Sequence, residues 1–245
     1  MQKHIYDLRA QIDETEWRAK SRRNLVIDCW KKFGHKSENF TMLDVGCGSG
    51  WLQKDFETKF DCKTFGIDTS PQAVKHSKAN GLKHNTFYSG KKIPFKDNSF
   101  DLVCSIDVLE HVKDDLYLLN EINRVMKRKS VFIGIVPARN ELLSTRDKRL
   151  MHFRRYEKEH LQTIVSNSGL QKLSCRYIDF LLYFPLKLSC LLAKKAQDLP
   201  DIKLETGETN VIFNRLLYTW EKIENRISTN ISLPLGVSLL IVAKK

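Results

Sequence analysis

Apolar side chains recur at helical spacing through Ile5, Leu8 and Ile12 and again through Leu25, Val26, Cys29, Trp30 and Phe33, and the run stops at Gly34. This spacing predicts an N-terminal helical cap, assigned to residues 1–39, ending at a residue that commonly stops helices. From Phe40 the period changes to that of strands. Met42-Leu43-Asp44-Val45 reads as a strand, a glycine-rich turn follows, and Trp51 to Phe60 reads as a helix. Cys62 to Asp68 reads as a second strand, after which Thr69-Ser70-Pro71 offers a hydroxyl cap and a first-turn proline for the next helix. The alternation continues with strands at Asn85–Ser89, Asp101–Ile106, Ser130–Val136 and Lys172–Ile178, and with helices at Asp114–Met126 and Glu157–Ser168. Such alternation predicts a mostly parallel sheet with helices on both faces. Asp179 to Asn230 reads as mostly helical around a polar loop from Gln197 to Asn210, and Pro234-Leu235-Gly236 reads as a hairpin turn entering a buried strand that ends near Ala243. The organisation is therefore a core at 40–178, a helical insertion at 179–230 and a seventh, final core strand within 231–245.

In an open parallel sheet, ligands lie beyond the carboxyl ends of the strands where strand order reverses. The first turn there holds Gly46, Cys47, Gly48, Ser49 and Gly50. Glycines let the backbone approach a ligand, and the N–H groups opening the next helix can receive a carboxylate, with roughly 0.3–1 kcal/mol from the helix dipole. The spacing is G-x-G-x-G, with Trp51 where a dinucleotide loop needs its third glycine, which argues against a pyrophosphate. Asp68, ending the second strand, can accept both hydroxyls of a ribose. A ribose without a pyrophosphate points to S-adenosylmethionine. Asp44 either faces that cofactor's ammonium group or braces the turn.

Composition adds three limits. A chain of 245 residues with 42% apolar content supports one α/β catalytic unit with an appended segment. The net charge of +12 fits an anionic partner (nucleic acid, a phosphate-bearing substrate or a membrane surface) or a solvated face, because the Lys and Arg residues are spread along the chain. The six cysteines form no C-x-x-C pair and no zinc-ligand spacing, so reduced, buried thiols of a cytoplasmic protein are expected. No apolar signal core opens the sequence, so secretion is not expected. The greasy stretch Ile178–Ala193 contains Asp179, Pro185 and Lys187, and falls short of the roughly 20 apolar residues needed to span a bilayer.

Four ordered motifs carry a resemblance. Leu43-Asp44-Val45-Gly46-Cys47-Gly48-Ser49-Gly50, Gly66-Ile67-Asp68, Ile93-Pro94-Phe95 through Val103, and Asp107-Val108-Leu109-Glu110-His111-Val112 together resemble the class I S-adenosylmethionine-dependent methyltransferase superfamily. The resemblance implies a Rossmann-like α/β fold and a cofactor site of Asp44, Gly46, Cys47, Gly48, Gly50, Asp68, Thr69, Ser89, Gly90 and Ile106. Ser89-Gly90 stand where the family usually has an acidic residue facing the adenine. Glu16-Trp17, Arg22-Arg23, Val136-Pro137-Ala138, Ser144-Thr145-Arg146-Asp147, His152 to Tyr156 and Leu233 to Leu240 are similar to a bacterial branch associated with glycan and cell-surface polysaccharide genes. There the family's paired tryptophans reduce to Trp17-Arg18.

Methyl transfer is an in-line displacement on a sulfonium, so the protein must align the acceptor, exclude water and, for a hydroxyl, accept a proton. The acceptor is expected past strands four and five, against Asp107, Asp147, Arg154, Arg155 and Tyr156. His111 and His152 are the candidate bases, with packing beneath the cofactor as the alternative for His111. The arginines would form a rim for an anionic group, or simply a solvated loop. Asp107, Glu110 and His111 also resemble an acidic-x-x-Glu-His pattern that holds a divalent metal in some quinone and RNA-end methyltransferases, but further ligands are missing and no metal is expected. The leading expectation is a methyltransferase acting on a small-molecule or glycan acceptor, anionic or lipid-linked, at oxygen. Peripheral contact with the inner face of a membrane is compatible with Phe180–Leu188, as is packing over the sheet. An RNA methyltransferase and a non-catalytic adaptor retaining the fold are the alternatives. Nucleic acid is the weaker partner, since Ser105-Ile106-Asp107-Val108 replaces the polar-Pro-Pro-aromatic signature of many base N-methylases.

Overall fold

The computed structural model describes residues 12–35, 38–195, 211–228 and 233–245. The helical pattern at Ile5 and Leu8, the polar loop Gln197–Asn210 and the boundary at residue 230 lie outside the described residues. In chain order the elements are α1 (Trp17–Phe33), β1 (Phe40–Val45), α2 (Trp51–Lys59), β2 (Cys62–Asp68), α3 (Pro71–Ala79), β3 (Asn85–Phe87), β4 (Phe100–Ile106), α4 (Asp115–Val125), β5 (Met126–Pro137), α5 (Thr145–Arg149), α6 (Lys158–Asn167), β6 (Gln171–Ile178), α7 (Phe180–Lys195), α8 (Val211–Ser228) and β7 (Ser238–Lys244). Short 3₁₀ turns at Leu109–His111 and Asn140–Leu142 follow β4 and β5.

The seven strands form one sheet in the order β3-β2-β1-β4-β5-β7-β6. β7 runs antiparallel to both neighbours, and the other described pairs are parallel. Strand order reverses between β1 and β4, which opens a crevice at their carboxyl ends. Along β1 the period of two sends Leu43 and Val45 into one apolar layer and Phe40 and Met42 into the other. Both faces are covered, as parallel strands require. Local chemistry sets the helix starts: Ser70 accepts from the Ala73 N–H ahead of Pro71, and Asp114 accepts from the Tyr117 N–H.

Three departures from the sequence pattern have physical causes. β5 begins at Met126 instead of Ser130, because Met126 pairs with Phe100 and the polar run Lys127–Lys129 forms an irregularity before Val131 rejoins Leu102. Lys129 takes a left-handed φ of 66° there. β3 ends at Phe87, two residues early. Pro234–Gly236 is no hairpin between successive strands: β6 and β7 pair, but α7 and α8 intervene. Gly236 instead lies against Ile178, where a Cβ would stand 2.3 Å from its carbonyl oxygen.

The two outlying helical segments pack on one another. Ser21 of α1 donates to Glu221 of α8 at 2.8 Å, and Asn24 donates to the Tyr218 hydroxyl at 2.8 Å. Helix α7 packs Leu182, Tyr183, Leu186 and Cys190 against Leu142 and Val237, and exposes Leu181, Phe184, Leu188, Leu191 and Leu192. Among the described residues no helix is long and apolar enough to cross a membrane. All six cysteines are free, four of them buried.

Candidate active site

The carboxyl ends of β1, β2, β4 and β5 open onto a cavity of about 740 Å³. Its first half is built by the glycine turn. Gly46, Gly48 and Gly50 all have positive φ, so the turn needs residues without a Cβ. A Cβ on Gly46 would strike Val108, whereas one on Gly48 would meet nothing within 4 Å: Gly48 is where a ligand can approach the backbone. Gly50 caps α2, and among the described residues its first turn has no side-chain cap, while the neighbouring Ser49 hydroxyl donates to Asp13 at 2.7 Å; the positive end of that helix suits an anionic group.

Two carboxylates complete this half. Asp68 accepts the Gly48 N–H at 3.0 Å and the Ser70 N–H at 2.8 Å, which fixes its orientation while a carboxylate retains room for further donors. Burial raises it, against the pull of those N–H groups. Asp44 is buried, and burial together with the charge of Asp68 pushes it up to about 7. A positively charged ligand beside Asp44 and Asp68 would relieve both. The open face at Gly48, the buried carboxylate pair and the uncapped helix start fit S-adenosylmethionine, a cation bearing a ribose, an ammonium and a carboxylate.

The second half lies beyond β4 and β5. Asp107, at a left-handed φ of 53°, follows β4 and pairs with Arg22 of α1. Arg22 also donates to Ser238 at 2.7 Å and reaches Asp179, which Arg18 holds at 3.0 Å. Burial opposes the Arg22 charge, but Asp107 and Asp179 hold its pKa well above the ordinary value. Arg18 and Arg22 together thus anchor α1 to β7 and to the residue before α7. His111 and His152 meet edge to face, with ring centroids 4.6 Å apart. They come from loops 41 residues apart, joined where the Phe153 N–H donates to the Glu110 carbonyl at 2.8 Å. His152 Nδ1 bonds Asp147 at 3.0 Å, and Asp147 is also held by Arg155 at 3.0 Å. Although burial disfavours the charge, His152 and Arg155 keep Asp147 far below the usual carboxylate range. An ionised Asp147 can only accept, so His152 donates from Nδ1 and turns Nε2 away from Asp147. Glu110 is fully buried, and burial followed by Asp107 pushes its carboxyl well up.

Of the sequence-derived residues, Asp44, Gly46, Cys47, Gly48, Asp68, Thr69, Gly90, Ile106, Asp107, His111, Asp147, His152 and Arg155 line the one cavity. Four do not. Gly50 turns the backbone and packs against Leu82 and Ser77. Ser89 is exposed, because Tyr88 is the residue of that segment turned inward to the cavity wall. Arg154 is drawn to Asp115 at 2.7 Å and to the Lys113 carbonyl, and the buried Tyr156 hydroxyl donates to the same Asp115 at 2.9 Å. Both therefore tie the 152–156 loop to the start of α4. Sequence reasoning missed Tyr88, the reach of Arg22 and the assembly of Asp147, His152 and Glu110. Arg22 followed the Trp17 motif in the sequence, and Asp147, His152 and Glu110 each stood in a motif that the sequence singled out, but nothing local showed that their side chains meet.

Residues 43–134 match the family model described as a methyltransferase domain. An uncharacterised protein of Methanocaldococcus jannaschii is 36% identical over 149 residues, spanning 56% of this chain and 61% of that protein. Norajmaline N-methyltransferase of Rauvolfia serpentina is 30% identical over 146 residues, spanning 57% of this chain and 48% of the plant protein. The chain thus spans less than two thirds of either relative. Among solved structures, a putative methyltransferase in complex with the Haloferax volcanii Trm112 methyltransferase activator shares the fold with a TM-score of 0.63 at 18% identity, over 98% of this chain and 96% of that one.

Proposed function

We propose that this chain, an S-adenosylmethionine-dependent methyltransferase of the class I fold, methylates an oxygen of a small-molecule or glycan acceptor bearing an anionic group. The observation that carries this reading is the continuity of one cavity from the glycine turn, Asp44 and Asp68 to the His111–His152 pair. When bound, S-adenosylmethionine supplies a methyl group on a sulfonium sulfur. Asp68 is suited to its ribose, Asp44 to its ammonium group and the start of α2 to its carboxylate. The acceptor is aligned in the second half of the cavity, where Lys113, Arg146 and Arg155 supply positive charge and Met151 and Phe153 an apolar wall. Its hydroxyl is deprotonated at the histidine pair, whose geometry Asp147 fixes. A new O–C bond forms as the S–C bond breaks, and the sulfur is left neutral.

The sequence features that resemble the glycan-associated bacterial branch favour a sugar or lipid-linked acceptor, and the outward apolar row of α7 favours docking at a bilayer surface. A fractionation experiment tests the acceptor class. The protein is incubated with methyl-labelled S-adenosylmethionine and a cell extract divided into lipid, aqueous small-molecule and RNA fractions. Label stable to base, as an ether is, is expected in the lipid or small-molecule fraction. Label confined to RNA would overturn the reading.

A further inference from the structure

We propose that Glu110, His111 and His152 form a binding site for a first-row divalent metal ion, zinc being the class that the ligand set fits best. The inference rests on the methyltransferase reading only for what the ion acts on, not for its binding.

The three side chains each offer a ligand atom, and these atoms lie within 4.8 Å of one another. Nitrogen and carboxylate donors sit about 2 Å from a zinc ion, so donors that share one stand at most about 4 Å apart. The spread of the three ligand atoms exceeds that limit by less than about 1 Å. Two further observations point to a cation. Glu110 is fully buried, and among the described residues neither of its carboxylate oxygens has a hydrogen-bond partner. A buried carboxylate is normally paired or bound to a metal, and the cavity beside this one is where a cation would enter. His152 donates Nδ1–H to Asp147, itself held by Arg155 and the Ser144 N–H. A carboxylate behind an imidazole, fixing its tautomer and leaving Nε2 for an ion, is the usual arrangement around a metal-binding histidine.

The donors are two nitrogens and one oxygen with no thiolate, which suits zinc or ferrous iron over magnesium or calcium, whose sites are built of oxygens. The cavity side leaves positions open to an acceptor oxygen. On entering, the acceptor hydroxyl gives its proton to solvent, and its oxygen meets the methyl donor as an anion. With the ion in place, the histidine pair would serve as its ligands instead of taking the proton-accepting role proposed above.

The test is metal binding by the full chain, first stripped with a chelator. Calorimetry with zinc is expected to give one equivalent per chain, and X-ray absorption of the wild-type zinc complex a nitrogen and oxygen shell with two imidazoles and no sulfur. His152→Ala and Glu110→Gln should each weaken zinc at least about tenfold while leaving S-adenosylmethionine affinity unchanged. The X-ray absorption result decides the matter without variants if either fails to fold. Wild type that binds S-adenosylmethionine but takes up no zinc would overturn the site, as would a sulfur shell or variants that bind zinc as tightly. Zinc bound in the expected shell by a protein that binds no S-adenosylmethionine would support the site and sink the methyltransferase reading.

Discussion

Asp44 sits at the carboxyl end of the central strand with its ionisation pushed up to about 7, from the ordinary 3.8 that it regains on unfolding. Between those values the folded chain holds a proton that the unfolded chain has lost. Its contribution to stability is therefore fully present below about pH 4 and is lost as pH rises through 7. Asp44→Asn removes that titration. Urea unfolding is expected to give similar stabilities for variant and wild type near pH 4 and a gap that widens to pH 8, the variant being the more stable. A gap independent of pH would contradict the assignment. The same variant is expected to bind S-adenosylmethionine at least about tenfold more weakly, because a neutral amide no longer complements a cation. Asp44, Gly48 and Asp68 were legible in the sequence because each lies within a strand and the turn that follows it, where spacing alone fixes placement. Ser89 and Arg154 were not, since their directions depend on which neighbour captures the chain: Tyr88 takes the inward position, and Asp115 draws the guanidinium out of the cavity.

Arg22 decides how elements meet. It joins α1 to Asp107 after β4, to Asp179 between β6 and α7, and to Ser238 at the start of β7. Removing it leaves Asp107 and the buried Asp179 short of a cation, although Arg18 still pairs with Asp179. Arg22→Met is expected to cost about 3 kcal/mol in urea unfolding, the low end for breaking a buried ion pair. A loss under about 1 kcal/mol would show that α1 is held without a net contribution from Arg22. At this scale the βα alternation was readable, because period and turn residues are local. The pairing of β7 between β5 and β6 was not, and neither was the layer formed by α1 with α8. Ser21 and Glu221, which close that layer, stand 200 residues apart in the chain.

For the whole molecule, a net charge of +12 and the outward row of Phe184, Leu188, Leu191 and Leu192 on α7 fit contact with an anionic bilayer. Wild type is expected to sediment with phosphatidylglycerol vesicles, and Phe184→Asp combined with Leu188→Asp to remain in the supernatant with its cofactor affinity intact. Equal sedimentation of both would return the apolar row to a structural role. Everything else depends on the cavity at the switch between β1 and β4, and calorimetry tests that most directly. S-adenosylmethionine titrated into wild type and into Asp68→Ala should bind the first in the micromolar range and the second at least about tenfold more weakly, roughly 1.4 kcal/mol. Folded wild type that binds neither S-adenosylmethionine nor S-adenosylhomocysteine would contradict the enzyme assignment and leave a methyltransferase fold kept for another purpose.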